Sequence, residues 1–524
     1  MRKVLVAAAF LTGVSIMGSA LAQQAAPEAG RGTQAGRGPV TPNPNPRLPP
    51  FAPSTAAVTF GERCAGCHGT NLQGTGKARS LFNAQFLANR NDNEIVNSIL
   101  TGFPVAGMPS FKDRISETLA HQLVYYMRIQ GGRLNNTPPV MPDPNGLVVR
   151  HENGSFRMEV VAAGLDVPWG IAFLPDRKTA IVPERGGKIR FIDIVKNTAS
   201  EPIRNTPKVF VRQDAGNQDI SVHPDYAKNG WIYLGYVDVQ PGVTPGPNSH
   251  IAPNPAPPTM TVIVRGKVKN GEWVENQELF RAPNELYTQP NDHYGIRFLW
   301  DKQKRLYWTL GDRHFHADSQ NLSTPIGKIH RVLDDGKPAP GNPFFNTPGA
   351  IPSIWSLGHR NPQGLAWNPV DGHLWETEHG PTGGDEINVI KRGANYGWGK
   401  VSHGLEPGIN GISGEGMEEP KAFFNPAIGP GGITFLTSNH YKGWKNNLFI
   451  TGMTGMKLFR MVVKNDQILS RELLLDRVGR VRDVKQGPDG MLYILLQNPT
   501  GNTPASGMTN GNVGMVVRLV PVNG

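Results

Sequence analysis

The sequence predicts a β-sheet repeat protein with a small helical domain in front of it. Three observations carry that expectation. Gly (62) and Pro (46) make up about a fifth of the 524 residues. Helical bundles and coiled coils do not tolerate so much helix breaking, whereas turn-rich sheets use it. A hairpin unit recurs six times after Arg157: an apolar strand meets a turn of Pro, Asp, Asn or Gly, and another apolar strand leaves it. Two Pro-rich stretches, 23–53 and 135–150, separate a segment 54–134 from a segment 151–524, the sizes of one small and one large domain. Hydrophobic residues at 38% and charged residues at 18% exclude long-range disorder. The net charge of +11 comes from 53 basic and 42 acidic residues with no Lys/Arg run, so nucleic acid is not an expected partner.

Residues 1–22 read as a secretory signal. Arg2 and Lys3 precede an apolar run, Val4 to Ile16, and Ala20-Leu21-Ala22 supplies small residues for cleavage. The run is broken by Thr12, Gly13 and Ser15 and falls short of the ~20 residues a span needs. The expectation is therefore a periplasmic or secreted protein with no membrane span after cleavage. The stretch 23–53, with Pro42-Asn43-Pro44-Asn45-Pro46 in it, favours extended backbone and reads as a tether.

Within 54–134, Cys64-Ala65-Gly66-Cys67-His68 is the strongest local signal. Two thiols two residues apart can add to the vinyl groups of one haem, and the adjacent imidazole then reaches the iron. These are the two cysteines of the chain, so neither a disulfide framework nor a four-ligand zinc site has its thiols. The second axial ligand is expected from Met108, set between Gly107 and Pro109 in a loop that can lay a thioether against a haem face. His121 competes from a helix-like segment, 116–130, and is read as a surface residue. The haem helix, Met loop and terminal helix resemble class I cytochrome c. His68/Met108 ligation leaves no open position and points to electron transfer.

The six units of the large segment are Ile171–Asp176, Val222–Asp225, Arg297–Asp301, Ala366–Pro369, Tyr441–Trp444 and Gln486–Gly490. Strands rich in aromatic and β-branched residues follow them, such as Ile232–Tyr236, Leu306–Leu310, Leu448–Thr451 and Met491–Leu496. Six hairpins over ~370 residues suit a six-bladed β-propeller with four strands per blade and insertions on loops. A two-sheet sandwich would not need six copies of one hairpin. Pro241–Pro258 is too rich in Pro and Gly for a sheet interior and reads as one such insertion.

A run of longer motifs lies in the same segment. His359-Arg360-Asn361-Pro362-Gln363-Gly364 is followed by Trp375-Glu376-Thr377-Glu378-His379-Gly380-Pro381, Gly384-Asp385-Glu386-Ile387-Asn388 and Asn395-Tyr396-Gly397-Trp398. Gly164–Trp169, Asn291-Asp292-His293-Tyr294-Gly295, Gly311-Asp312, Gly327-Lys328-Ile329 and Gly479–Asp483 belong with them. In order and spacing these motifs resemble the soluble quinoprotein glucose/sorbosone (aldose sugar) dehydrogenase family along nearly all of 157–522.

The resemblance implies a six-bladed propeller, with pyrroloquinoline quinone and calcium as cofactors. It implies His293 as the base for a sugar hydroxyl, with Asp292 beside it to orient and stabilise the imidazolium. Arg360, Arg480 and Arg482 would hold the quinone carboxylates, with Asn361 hydrogen-bonding the cofactor. The Gly380 and Pro381 carbonyls would bind calcium, and a second calcium would involve Glu386 and Tyr396. Three positions depart from the glucose-oxidising members. Thr454 stands where they have Lys, Asp214 where they have Gln, and His379 where a Gln precedes Gly-Pro.

Two functions follow from these residues. One is an exported oxidoreductase that oxidises an aldose or related sugar or polyol. It passes electrons through its own haem to a soluble cytochrome or respiratory-chain component. The other is a non-catalytic carbohydrate- or protein-binding propeller with a haem carrier or sensor. Retention of His293, Arg360, Asn361, Gly380, Pro381, Arg480 and Arg482 favours the first.

Overall fold

The computed structural model describes residues 55–127 apart from 71, 79, 82–91, 118, 121–122 and 125. It also describes residues 144–522 apart from 251–253, 407, 410, 455, 477 and 498–513. The expected signal 1–22, the tether 23–53, residues 135–143 of the joint and His121 lie outside the described residues.

The front segment is helical, as expected. Helices α1 (Thr55–Arg63), α2 (Ala65–His68) and α3 (Asp92–Thr101) pack around one apolar cluster. Ala56 and Phe60 on α1 stand four apart, and Ile95, Val96 and Ile99 on α3 share a face. Ala120, Leu123, Val124 and Met127 recur at the same helical spacing. Each pattern gives a single buried stripe, so the cluster closes on itself without residues of the large domain. Helix α3 lies against the strand Ala422–Phe424 of the large domain.

The large domain is a six-bladed propeller. The first sheet runs Ala172–Phe173, Thr179–Pro183, Ile189–Asp193 and Thr198–Ala199. The second runs Asn217–Val222, Ile232–Val239, Thr259–Lys269 and Glu272–Arg281. The third runs Gly295–Trp300, Leu306–Leu310, Lys328–Val332 and Ile354–Leu357. The fourth runs Pro362–Trp367, Leu374–Glu378, Asp385–Ile390 and Ala422–Phe424. The fifth runs Pro430–Phe435, Leu448–Gly452, Lys457–Lys464 and Gln467–Asp476. The sixth joins Arg480–Gln486, Leu492–Gln497 and Gly514–Val522 to Gly154–Leu165 and Val148–His151.

The recurring hairpins of the sequence are the first two strands of each blade. Strands such as Leu306–Leu310 and Leu492–Gln497 are buried along their whole length because a neighbouring blade covers each face, which is why they read as continuous apolar runs. The sequence did not show how the ring closes. Gly154–Leu165 pairs with the C-terminal strand from Ser155↔Val522 to Leu165↔Gly514, so chain start and chain end complete one blade. Closure leaves no free edge between the first blade and the last.

A buried ion cluster pins the inner strands. Arg297 of the third blade is fully buried and reaches Asp219 of the second and Asp483 of the sixth, each at 3.2 Å. Its Nε donates to the Gln363 carbonyl of the fourth blade at 2.7 Å. Replacing Arg297 by alanine leaves two buried carboxylates without their cation, a loss on the order of 3–5 kcal/mol. A denaturant titration followed by intrinsic tryptophan fluorescence should show the propeller transition shifted by that amount. An unchanged midpoint would mean the cluster does not hold the blades.

Candidate active site

The strands of each blade are antiparallel, so the entry to its first strand and the exit from its second open on the same rim of the ring. Asp214, Asn291–Tyr294, His359–Asn361 and Arg480 stand at such entries. Arg185, Gly311–His316, His379–Gly384 and Thr454 stand at such exits. Topology thus gathers residues more than 250 positions apart in sequence onto one face.

His293 is buried, with its Nδ1 2.7 Å from Asp312 Oδ1. The carboxylate can only accept, so Nδ1 carries the hydrogen and Nε2 is left as the basic nitrogen. Burial, helped by the Arg360 cation, lowers its pKa to about 4 against the opposing pull of Asp312, so it is neutral at pH 7. Asp312 is fully buried. Burial works against its charge, but the His293 ring and its hydrogen bond hold it ionised well below the usual carboxylate range. Its other oxygen accepts from Trp398 Nε1 at 2.6 Å.

The expectation that Asp292 orients His293 is corrected here. The Asp292 carboxylate pairs instead with His314 Nε2 at 2.7 Å, and that ring stacks on His293 at 4.1 Å and 14°. The physical reason is backbone geometry. His293, Arg313 and His314 have φ of 54°, 48° and 66°, a left-handed conformation that non-glycine residues seldom adopt. It turns the side chain of His293 away from its sequence neighbour and toward the strand exit that carries Asp312.

Arg360 Nη1 donates to the His379 carbonyl at 3.2 Å, and its guanidinium lies over Trp398 at 5.1 Å. Asn361 Oδ1 accepts from the Gly295 amide at 3.0 Å, and its Nδ2 faces His379 Nδ1 at 3.4 Å. His379 Nε2 donates to the Pro430 carbonyl at 2.8 Å, and burial lowers its pKa to about 4 despite Asp385. It is therefore a neutral hydrogen-bonding group in the place of a glutamine. Gly380 needs no side chain, because a Cβ there would lie 2.3 Å from Gly383 and Gly384 backbone atoms. Asp385 accepts from its amide at 2.9 Å and from Ile428 and Gly429. A small cleft brings together Arg360, His379, Gly380, Pro381, Glu386 and Tyr396.

In the sixth blade, the Arg482 guanidinium lies 3.7 Å over the Trp169 ring. Burial depresses the pKa values of Arg480 and Arg482, and their proximity to each other depresses Arg482 further. Asp214 is pushed up by burial while Arg482, Arg480 and Arg185 pull it down and Asp292 adds to the rise. These charges therefore share one field. Arg185, which the sequence reading missed, is buried there with its guanidinium on the Gln213 carbonyl. Asp312 was visible only as part of Gly311-Asp312, and His314 carried no sequence signal.

The donors fit the expected groups. Among the described residues, Arg360 Nε and Arg482 Nε are buried with no hydrogen-bond partner, as suits guanidiniums that meet carboxylates of a bound acid. Glu376, Glu378 and Glu386 converge in the interior. Asn388 Nδ2 bonds Glu376 at 3.1 Å and Glu386 at 3.3 Å, while Glu376 Oε1 and Asn388 Oδ1 have no partner among the described residues. Burial raises both Glu376 and Glu386, and a hard divalent cation would relieve that charge. The Tyr396 hydroxyl is committed to the Val389 carbonyl and the Lys391 amide, which leaves its own carbonyl as the atom to ligate.

In the helical domain, Cys64 and Met108 pack against the same apolar cluster, and Cys67 is exposed. His68 ends α2, directly after Cys67. Phe103 and Met108 exchange backbone hydrogen bonds at 2.9 and 3.1 Å across a turn with Gly107 at φ 80°, which fixes the loop that presents Met108. Burial raises the Cys64 thiol to about 11, so it stays neutral.

Residues 165–504 match the glucose/sorbosone dehydrogenase family, and residues 51–127 match cbb3-type cytochrome c oxidase subunit III. The aldose sugar dehydrogenase of Escherichia coli strain K12 is 33% identical over 356 residues, 66% of this chain and 91% of that protein. The apo crystal structure of the Escherichia coli soluble aldose sugar dehydrogenase superposes with a TM-score of 0.61 at 30% identity. It covers 70% of this chain and 100% of the other. A quinone-bound aldose sugar dehydrogenase from Streptomyces coelicolor superposes with a TM-score of 0.55 at 27% identity, covering 72% and 99%.

Proposed function

The chain belongs to the glucose/sorbosone dehydrogenase family, here with a cytochrome c domain in front, and from that premise we propose an exported sugar dehydrogenase that delivers electrons to its own haem. Its substrate is an aldose or related polyol. The observation that carries the reading is the His293–Asp312 pair, a neutral buried imidazole whose Nε2 is its basic nitrogen. A propeller that only bound carbohydrate would have no use for it.

Pyrroloquinoline quinone, when bound, supplies a two-electron acceptor for the hydride leaving the sugar carbon. Arg360, Arg480 and Arg482 would hold its carboxylates, and Asn361 and His379 would offer it hydrogen bonds. The Gly380 and Pro381 carbonyls offer hard oxygen donors for calcium, with Glu386 and Tyr396 serving a second ion. His293 Nε2 accepts the proton of the sugar hydroxyl, and Asp312 stabilises the imidazolium that forms. Asp312 is a positioning residue, since it acts through the ring. In the helical domain, Cys64 and Cys67 would hold the haem and His68 and Met108 would ligate its iron.

The test is to add the quinone and calcium to the purified protein and follow the haem spectrum with a panel of sugars. Reduction by an aldose, dependent on the quinone, is the expected result, and a haem that stays oxidised with every sugar would overturn the reading. A pH profile adds a second check. Burial favours the neutral form of His293, so the base is competent above its lowered pKa and lost as pH falls through about 4. The acid limb of kcat/KM should therefore lie well below the ~6.5 of a free imidazole. A limb at or above that value would exclude His293 as the base.

A further inference from the structure

We propose that Asp292, His293 and His314 form a binding site for a divalent transition metal ion, zinc or copper, whose occupation blocks the base. One donor atom from each of the three residues lies within 4.8 Å of the others. Two nitrogens on one zinc ion stand roughly 3.3 Å apart, given Zn–N distances of about 2.0–2.1 Å and tetrahedral geometry. The two rings are stacked nearly parallel, so the partly exposed His314 ring must swing out of the stack to aim its lone pair at the same ion. Two imidazoles and a carboxylate with a fourth position open to solvent is a donor set for zinc or copper. Calcium prefers an all-oxygen shell.

The surroundings are those of a ligand rather than of a chance pair. His293 already gives its Nδ1 hydrogen to buried Asp312 at 2.7 Å, the second contact that fixes the tautomer of a metal-bound histidine. The same Asp312 oxygen accepts from the His314 amide at 3.0 Å, which fixes the backbone that carries the His314 ring beside His293. His314 and Asp292 are 39% and 41% exposed in their side chains, so an ion reaches them from solvent. On entry, the proton shared between His314 Nε2 and Asp292 Oδ1 leaves to solvent, and both groups become ligands. The ion then occupies the lone pair of His293 Nε2. The metal site stands on this geometry alone, and only the block of turnover rests on the reading of His293 as the base.

The experiment is a calorimetric titration of the full-length protein with zinc chloride in millimolar calcium at pH 7.5, in parallel with dye reduction. One saturable zinc site is expected, at least tenfold weaker in His314→Gln and in Asp292→Asn. It should be unchanged in His373→Gln, which alters the separate surface group of Asp371, His373 and Asp466. Circular dichroism checks that each variant is folded. Absence of a saturable site overturns the proposal. So do wild-type titrations in both active-face variants, or loss of binding in His373→Gln alone. Inhibition of dye reduction should share the zinc midpoint. Zinc binding at this site with dye reduction untouched would leave the site standing and overturn the block. A protein that binds zinc here but oxidises no sugar would count against the dehydrogenase reading only.

Discussion

Replacing His293 with alanine is expected to lower sugar-dependent reduction of a small dye by about 10²–10⁴-fold, the usual worth of a positioned general base, with the fold and quinone affinity retained. Asn361, the arginines and the Gly380 turn do not depend on the imidazole for their contacts. The informative comparison is between two neighbouring aspartates. Asp312→Asn removes the charge that stabilises imidazolium and lets the ring adopt the tautomer with hydrogen on Nε2, where it cannot accept the substrate proton. Its loss should approach that of the alanine variant. Asp292→Asn touches His314 instead and should cost much less. If the order is reversed, the structural assignment of the orienting carboxylate is wrong. Equal quinone binding by all three variants, read from quenching of tryptophan fluorescence, would place the losses in the proton-transfer step.

The contrast between those aspartates also shows where sequence reading runs out. Blade hairpins were legible because a strand buried on both faces must be a continuous apolar run, as Leu306–Leu310 and Leu492–Gln497 are. The haem motif was legible because its chemistry is confined to five consecutive residues, Cys64 to His68. Ring closure was not, since pairing Ser155 with Val522 joins positions whose proximity no local pattern records. The partner of His293 was misassigned for the same reason. Asp292 is adjacent in sequence, yet left-handed backbone at His293 and His314 turns the rings so that Asp312, nineteen positions on, takes Nδ1. Arg185 escaped notice because a single arginine at a strand exit has no spacing to mark it, and its place beside Asp214 exists only once the first and second blades are side by side.

Removing the haem domain should leave dye reduction intact and abolish sugar-dependent reduction of a partner cytochrome. On the proposed reading, the propeller releases two electrons and the haem takes them one at a time, and a tethered haem would supply a high local concentration that a free carrier does not. Helix α3, which leads directly into the Met108 loop, lies against Ala422–Phe424. That strand pairs with Asp385 through Asp385↔Phe424, and Asp385 holds the Gly380 amide. The haem domain is thus applied to the blade that carries the proposed calcium carbonyls. The truncation has to begin no later than Pro144. Asn145 Oδ1 accepts from the Val160 amide at 3.2 Å, and the Gly146 amide donates to the Met158 carbonyl at 2.8 Å. A later start would therefore unpin the strand that closes the ring. The helical cluster and the propeller clusters share no residues, so the propeller keeps its core. A Pro144 truncation that reduces the partner cytochrome as fast as the full chain would take the fused haem off the electron path. A full-length Met108→Ala variant separates the two roles of the domain. It should lose the sulfur–iron absorption band and show a lowered potential, since a thioether ligand raises it. Cytochrome reduction should then slow while dye reduction stays at the parent rate.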